Sequence, residues 1–256
     1  MSLEFCTIQP VFRVVDWEAV LGYLPKFVEA TRGEAGCLYY GFTVDTEKKF
    51  CACREAYVDG AAMVAHLDNV GGLIGEMLSS GAAVLETVEA HGPALELAVA
   101  KEKLDPLGTT YFEFQCGYAK IETSVASDQT FCNIYPTFKV NDLAAVEKFT
   151  TEAAEKTKTE EGLLYYGFTL DKKNNLLFCR EAYKDADAVL AHLANVGEAL
   201  NKGLQDKIFD LLSISIHGPS EQLDKLKEPT KAFGTTFFDI VPGCAFSKYK
   251  ALPLKN

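Results

Sequence analysis

Arginine, histidine and tryptophan are scarce in this chain: four, four and one in 256 residues. The compact signatures of several familiar chemistries are missing too. There is no Cys-x-x-Cys pair or other zinc spacing, no glycine-rich phosphate loop and no Gly-x-Ser-x-Gly elbow. Zinc-ribbon, nucleotide-cradling and α/β-hydrolase readings therefore have no starting point, and no metal site is expected. No apolar run can span a bilayer, since the most apolar stretch, Met63 to Leu78, is broken by His66, Asp68, Asn69 and Glu76. The opening residues Met1-Ser2-Leu3-Glu4-Phe5-Cys6 lack a basic region followed by an apolar one, so no signal peptide is expected. Positive charge is short as well. Lys+Arg number 25 against Asp+Glu 36, a net charge of −11, which repels phosphate backbones and anionic lipid. Neither nucleic acid nor a membrane is an expected partner.

What is present is an ordinary globular composition, 48% hydrophobic and 24% charged. The eight cysteines lie mostly inside apolar segments, without the dense spacing of a secreted disulfide scaffold. They read as reduced, buried thiols, and the expected location is cytoplasmic.

The chain is written twice. A shift of 126 positions overlays it on itself without a gap, and 47 of 116 aligned positions, from Phe5/Phe131 to Lys120/Phe246, are identical. Leu38-Tyr39-Tyr40-Gly41-Phe42-Thr43 falls on Leu164-Tyr165-Tyr166-Gly167-Phe168-Thr169, and Arg54-Glu55-Ala56-Tyr57 falls on Arg180-Glu181-Ala182-Tyr183. Two copies of this length make two domains rather than a solenoid, at 1–122 and 129–256, with a polar linker over Glu122 to Asp128.

Each copy reads as strand, helix, strand, strand, helix, strand, then a short helix and a last strand. Asp16/Asp142 and Asp59/Asp185 precede the helical stretches as N-caps. Two aromatic-rich runs flank a polar turn at Asp45–Lys49, which predicts a hairpin. Leu211–Ile216 alternates as a fourth strand, and Thr236–Val241 is the expected terminal one. The fold class is therefore α+β: two ferredoxin-like βαββαβ units. Such a unit has helices on one sheet face only, so the two bare faces are expected to meet across a pseudo-two-fold axis.

The run Arg-Glu-Ala-Tyr-x-Asp-x-x-Ala-x-x-Ala-His-Leu, at Arg54–Leu67 and Arg180–Leu193, resembles the antibiotic biosynthesis monooxygenase family. The preceding Leu-Tyr-Tyr-Gly-Phe strand and the later His-Gly-Pro resemble its quinol-monooxygenase-like members. The resemblance covers nearly all of each copy. It implies a dimeric α/β barrel formed within one chain, an intrachain pseudo-dimer that leaves room for further homo-oligomerisation. It also implies a cofactor-independent monooxygenase whose partners are O₂ and a small aromatic or quinol-type molecule. The rival is a non-catalytic or stress-response small-ligand-binding protein of the same superfamily.

His66 and His192 are the candidate bases, on the inward stripe of the second helix, where either could accept a phenolic proton. Alternatively each is structural, bonded to a backbone carbonyl. Arg54 and Arg180 are kept where Arg13 and Arg32 become lysines, which suits a structural ion pair or a substrate oxyanion. Tyr40, Tyr166, Tyr57 and Tyr183 are candidates to line the cavity or to sit in the core. Asn69 and Asn195 would orient a ligand carbonyl or cap the turn before Gly71 and Gly197. His91 and His217 are expected at the contact between copies. The haem-degrading relatives carry a tryptophan where His66 and His192 fall and a haem-ligating histidine further along; here those later positions are Glu76 and Lys202, and the one tryptophan is Trp17. No cofactor is expected.

Overall fold

The computed structural model describes residues 5–128 and 130–251. Residues 1–4, where no leader pattern was read, and the domain limits 1, 129 and 256 lie outside it. The first half runs β1 (Cys6–Val14), α1 (Trp17–Arg32), β2 (Cys37–Asp45), β3 (Phe50–Tyr57), α2 (Gly60–Ser79), β4 (Ala83–Gly92), α3 (Ala94–Leu104) and β5 (Thr110–Ala119). After β6 (Ile121–Ser127) the series recurs as β7 (Cys132–Val140), α4 (Leu143–Thr157), β8 (Leu163–Asp171), β9 (Leu176–Tyr183), α5 (Ala186–Gln205), β10 (Phe209–Gly218), α6 (Ser220–Thr230) and β11 (Thr236–Ala251).

The helices start where carboxylates satisfy their free amides. Asp16 accepts from the Ala19 N–H at 3.1 Å and Asp59 from that of Ala62 at 2.8 Å; Asp142 and Asp185 repeat both caps. Within each half the first four strands pair antiparallel, in the order β4-β1-β3-β2 and β10-β7-β9-β8.

The two sheets do more than face each other. β5 leaves its own half, pairing parallel to β4 and antiparallel to β8. β11 likewise lies between β10 and β2. The ten strands thus close into one ring, with β6 added on the outer edge of β11. An open pair of sheets would have left four edges with unpaired backbone groups, and the exchanged strands cover all four. This also corrects two expectations. The linker is itself a strand, with Thr123 opposite Tyr249 and Ser127 opposite Ser247, and the terminal strand continues to Ala251 rather than ending at Val241. β11 outruns its partners within the ring, and its free ladder groups take the neighbouring segment as a further strand.

Alternation along each strand separates two environments. On β1, Cys6, Ile8, Phe12 and Val14 pack beneath α1 and α2, while Thr7 and the preceding Phe5 turn into the barrel. One end of the lumen is plugged by Phe5, Leu38, Tyr39, Phe131, Leu164 and Tyr165. At its centre the Tyr39 and Tyr165 hydroxyls, 126 residues apart, lie 3.0 Å from each other with their rings parallel.

The β5–β8 seam depends on a close approach. Gly117 has φ 149°, and a Cβ there would lie 2.5 Å from the Gly167 Cα. Gly117→Val should therefore cost on the order of 2–3 kcal/mol, read from urea unfolding. Asp59→Ala and Asp185→Ala should each cost about 1 kcal/mol in the same assay, as lost caps.

Candidate functional site

A buried array of carboxylate, imidazole, carboxylate and phenol lies beneath the second helix of each half. In the first, His66 projects from α2, Glu34 from the loop after α1, and Glu55 and Tyr57 from β3. His66 Nδ1 lies 3.1 Å from both Glu34 oxygens, and its Nε2 lies 3.0 Å from Glu55 Oε2. The Tyr57 hydroxyl donates to that same Glu55 oxygen. Asn69, one turn beyond His66, donates to Glu34 at 2.7 Å and to the Ala30 carbonyl at 2.9 Å, which holds Glu34 in place.

The second half repeats every part. His192 Nδ1 lies 3.0 and 3.1 Å from Glu160, its Nε2 lies 3.1 Å from Glu181, Tyr183 donates to Glu181 at 2.5 Å, and Asn195 donates to Glu160 at 2.6 Å. Both histidines and the inner carboxylates Glu55 and Glu181 are buried.

Two acceptors on one imidazole require both ring nitrogens to carry protons. Burial alone would strip the charge from His66, but Glu55 and Glu34 override it and raise its pKa to about 9. His192 is shifted upward by the same opposition of burial against Glu181 and Glu160. Glu181 is itself pushed upward by burial, against the pull of His192.

A cavity opens beside each array. In the first half it holds about 40 Å³ of free space between α2 and the sheet, walled by Ile8, Phe12, Phe27, Phe42, Val70 and Met77, with His66 and Glu55 on one side. In the second half the matching space is about 50 Å³, with His192 and Glu181 on its wall. Tyr40 and Tyr166 line these cavities, their ring centroids 5.3 and 5.4 Å from the histidines.

Of the residues expected at the site, the structure brings together His66, Tyr40, Tyr57 and Asn69, and likewise His192, Tyr166, Tyr183 and Asn195. Among the described residues neither histidine is bonded to a backbone carbonyl; carboxylates take both ring nitrogens. The asparagines cap no turn, because α2 and α5 run on to Ser79 and Gln205 past Gly71 and Gly197. Arg54 and Arg180 do not join the array. Strand alternation sends them into the barrel, where Arg54 donates to the Phe131 carbonyl at 3.2 Å and to Asn133, and Arg180 to the Phe5 carbonyl at 3.1 Å. The ion pair expected of Arg54 does not form among the described residues; a carbonyl and an amide take its place. His91 and His217 do reach across, to Thr169 at 2.9 Å and Thr43 at 2.8 Å. Glu34, Glu160, Glu55 and Glu181 were missed as site residues, although each pair is kept at the 126-residue offset.

The described cysteines are all unpaired, and burial pushes the Cys132 thiol up to about 11 and that of Cys51 to about 12. They are protonated near neutrality and poor nucleophiles. No described helix is long and apolar enough to cross a membrane.

No family model matches the chain, and no curated protein matches it. Among solved structures, MupZ from Pseudomonas fluorescens is 33% identical over 43% of this chain and 90% of its own, with a TM-score of 0.41. A protein provisionally named a monooxygenase, from Fusobacterium nucleatum, is 19% identical over 84% of this chain and 95% of its own, with a TM-score of 0.57. A similarly named protein from Lactobacillus acidophilus is 15% identical over 82% and 91%, with a TM-score of 0.48.

The histidines should titrate in opposite directions. His66 gains affinity for its proton on folding, so its contribution to stability is complete below the unfolded value near 6.5 and is lost as pH rises through about 9. His91 and His217 are buried neutral with lowered values, so they favour folding above 6.5 and oppose it as pH falls. Histidine NMR should show His66 protonated at pH 8 and His91 and His217 neutral at pH 6.5. The contribution of these histidines to unfolding free energy should peak near 6.5. Glu34→Gln should lower the His66 midpoint toward the ordinary value.

Proposed function

Since the chain belongs to the antibiotic biosynthesis monooxygenase-like dimeric α/β barrels, we propose that it is a cofactor-independent monooxygenase acting on a small aromatic or quinol-type substrate. The observation that carries this reading is the duplicated array on the wall of an otherwise apolar, aromatic-lined cavity.

With an imidazolium between two carboxylates, each array holds one net negative charge and can take up one more proton. A phenol or hydroquinone docked against Glu55 or Glu181 would deliver that proton to the carboxylate–imidazole pair. His66 and His192 then act as partners that share the proton rather than as lone bases. Tyr57 and Tyr183 hold the inner carboxylates by one oxygen, and Asn69 and Asn195 hold the outer ones. The substrate anion is electron-rich enough to reduce O₂ itself: it loses two hydrogens, gains one oxygen atom, and the second oxygen leaves as water. All the electrons come from the substrate, which is why no cofactor is invoked. Free space of about 40–50 Å³ accommodates only a few waters, so an aromatic ring enters by displacing side chains such as that of Met77, the most pliable wall residue.

That small volume also favours a second reading, in which the array is a buried strut and the protein binds small ligands without turning them over. We further read residues 1–122 and 129–256 as two ferredoxin-like units, supported by the repeated strand order, and the chain as cytoplasmic, supported by its unpaired thiols.

An oxygen electrode with a panel of hydroquinones and related phenols tests the proposal. The native chain should consume O₂, and His66→Ala/His192→Ala should slow it by about 10²-fold or more. Glu55→Gln/Glu181→Gln should do the same, with folding checked by circular dichroism. Saturable binding without oxygen uptake would favour the second reading, and equal uptake by the variants would remove the arrays from the chemistry.

A further inference from the structure

One difference between the two halves lies inside the barrel, away from both arrays. His91 stacks on Phe112 and His217 on Phe238, with centroid distances of 4.7 and 4.5 Å. Beside His91, Phe178 fills the remaining space, its ring 4.5 Å away. The position equivalent to Phe178 in the first half is Ala52. The missing ring leaves a cavity of about 160 Å³ bounded by Ala52, Val11, Phe178 and Phe238, three to four times the free space under either helix. The aromatic plug closes the lumen at the far end. At the near end the exposed Thr87 and Ser213, equivalent residues of the two halves, open the cavity to solvent.

This space has an unmet electrostatic need. Arg54, only 4% exposed, lines it and forms no ion pair among the described residues. Its Nη1 is engaged by the Phe131 carbonyl and Asn133, but its buried Nε–H has no acceptor among the described residues. The Gln9 amide nitrogen, on the neighbouring strand and lining the same cavity, is also buried with no partner among the described residues. A guanidinium buried this way is stabilised by an anion that its planar edge can grip. His217 offers none, since burial and the Arg54 charge both hold it neutral. The one carboxylate on the wall, Glu89, is partly exposed and would repel a doubly charged guest more than a singly charged one.

We propose that the open half of the barrel lumen binds a small organic monocarboxylate, its carboxylate on Arg54 and Gln9 and its apolar body against Val11, Ala52, Phe178 and Phe238. This site is separate from the proposed oxygenase cavities, which lie on the other face of the same strands.

Titration of the full-length protein with benzoate, followed by calorimetry and amide NMR, tests it, with benzyl alcohol and inorganic phosphate as parallel probes. Benzoate should bind saturably and shift the Gln9 side-chain amide, while benzyl alcohol should bind at least tenfold more weakly and phosphate not detectably. Ala52→Phe restores the ring that the second half already carries at Phe178 and keeps every charge; it should remain folded and lose benzoate binding. Arg54→Gln should weaken binding at least tenfold. No benzoate binding at 20 mM, benzoate binding retained by Ala52→Phe, or phosphate bound in preference would each overturn the proposal. Oxygen uptake is read separately, so failure here leaves the oxygenase assignment standing, and the converse.

Discussion

Closing the ring is the constraint on which everything else in this molecule rests. A sheet with helices on one face must hide its other face, and each free edge is a row of backbone groups seeking partners. The exchange of β5 and β11 between halves meets both demands together: β5 joins β4 to β8 and β11 joins β10 to β2. Neither half is then complete alone. The closed ring also forces the division of labour along each strand, since alternate residues must face either the helices or the lumen.

Arg54 and Glu55 show how sharp that division is. They are neighbours in sequence and opposite in charge, yet they never meet. Glu55 works under α2 in a chain with His66, Glu34 and Tyr57, while Arg54 works inside the barrel among carbonyls, amides and aromatic rings. One strand wall therefore separates an anionic, proton-holding environment from a cationic one without any loop or lid.

Much of this plan was readable before any coordinates. The 126-residue offset carried the duplication, the four aspartate caps marked the long helices, and strand alternation placed Arg54 and Glu55 on opposite faces. The fate of β5 and β11 was not readable, because local periodicity says that a strand exists and not which edge it joins. The β6 segment was hidden for a related reason: a short, polar Thr/Ser-rich stretch looks like a linker until a long neighbour offers it an unpaired ladder. At the site, the histidines stood out because they are rare. Their partners Glu34 and Glu160 did not, since they sit in loops 32 residues upstream, where acidic residues are common and spacing carries no message. Only the comparison of the two halves could have raised them, because Glu34, Glu55, His66 and Asn69 all persist while most of the surrounding surface drifts.

The Tyr39–Tyr165 contact makes visible what joining two copies in one chain permits. Across a true two-fold axis every residue confronts an identical twin, so any change near the axis is made twice and must suit both sides at once. In this chain Asn133 steadies the Tyr165 hydroxyl at 2.5 Å while the matching position in the first half is Thr7, and Phe178 occupies volume that Ala52 leaves empty. Linkage by β6 frees the two sides to diverge while the barrel stays closed, so a single interior holds one packed chamber and one vacant one.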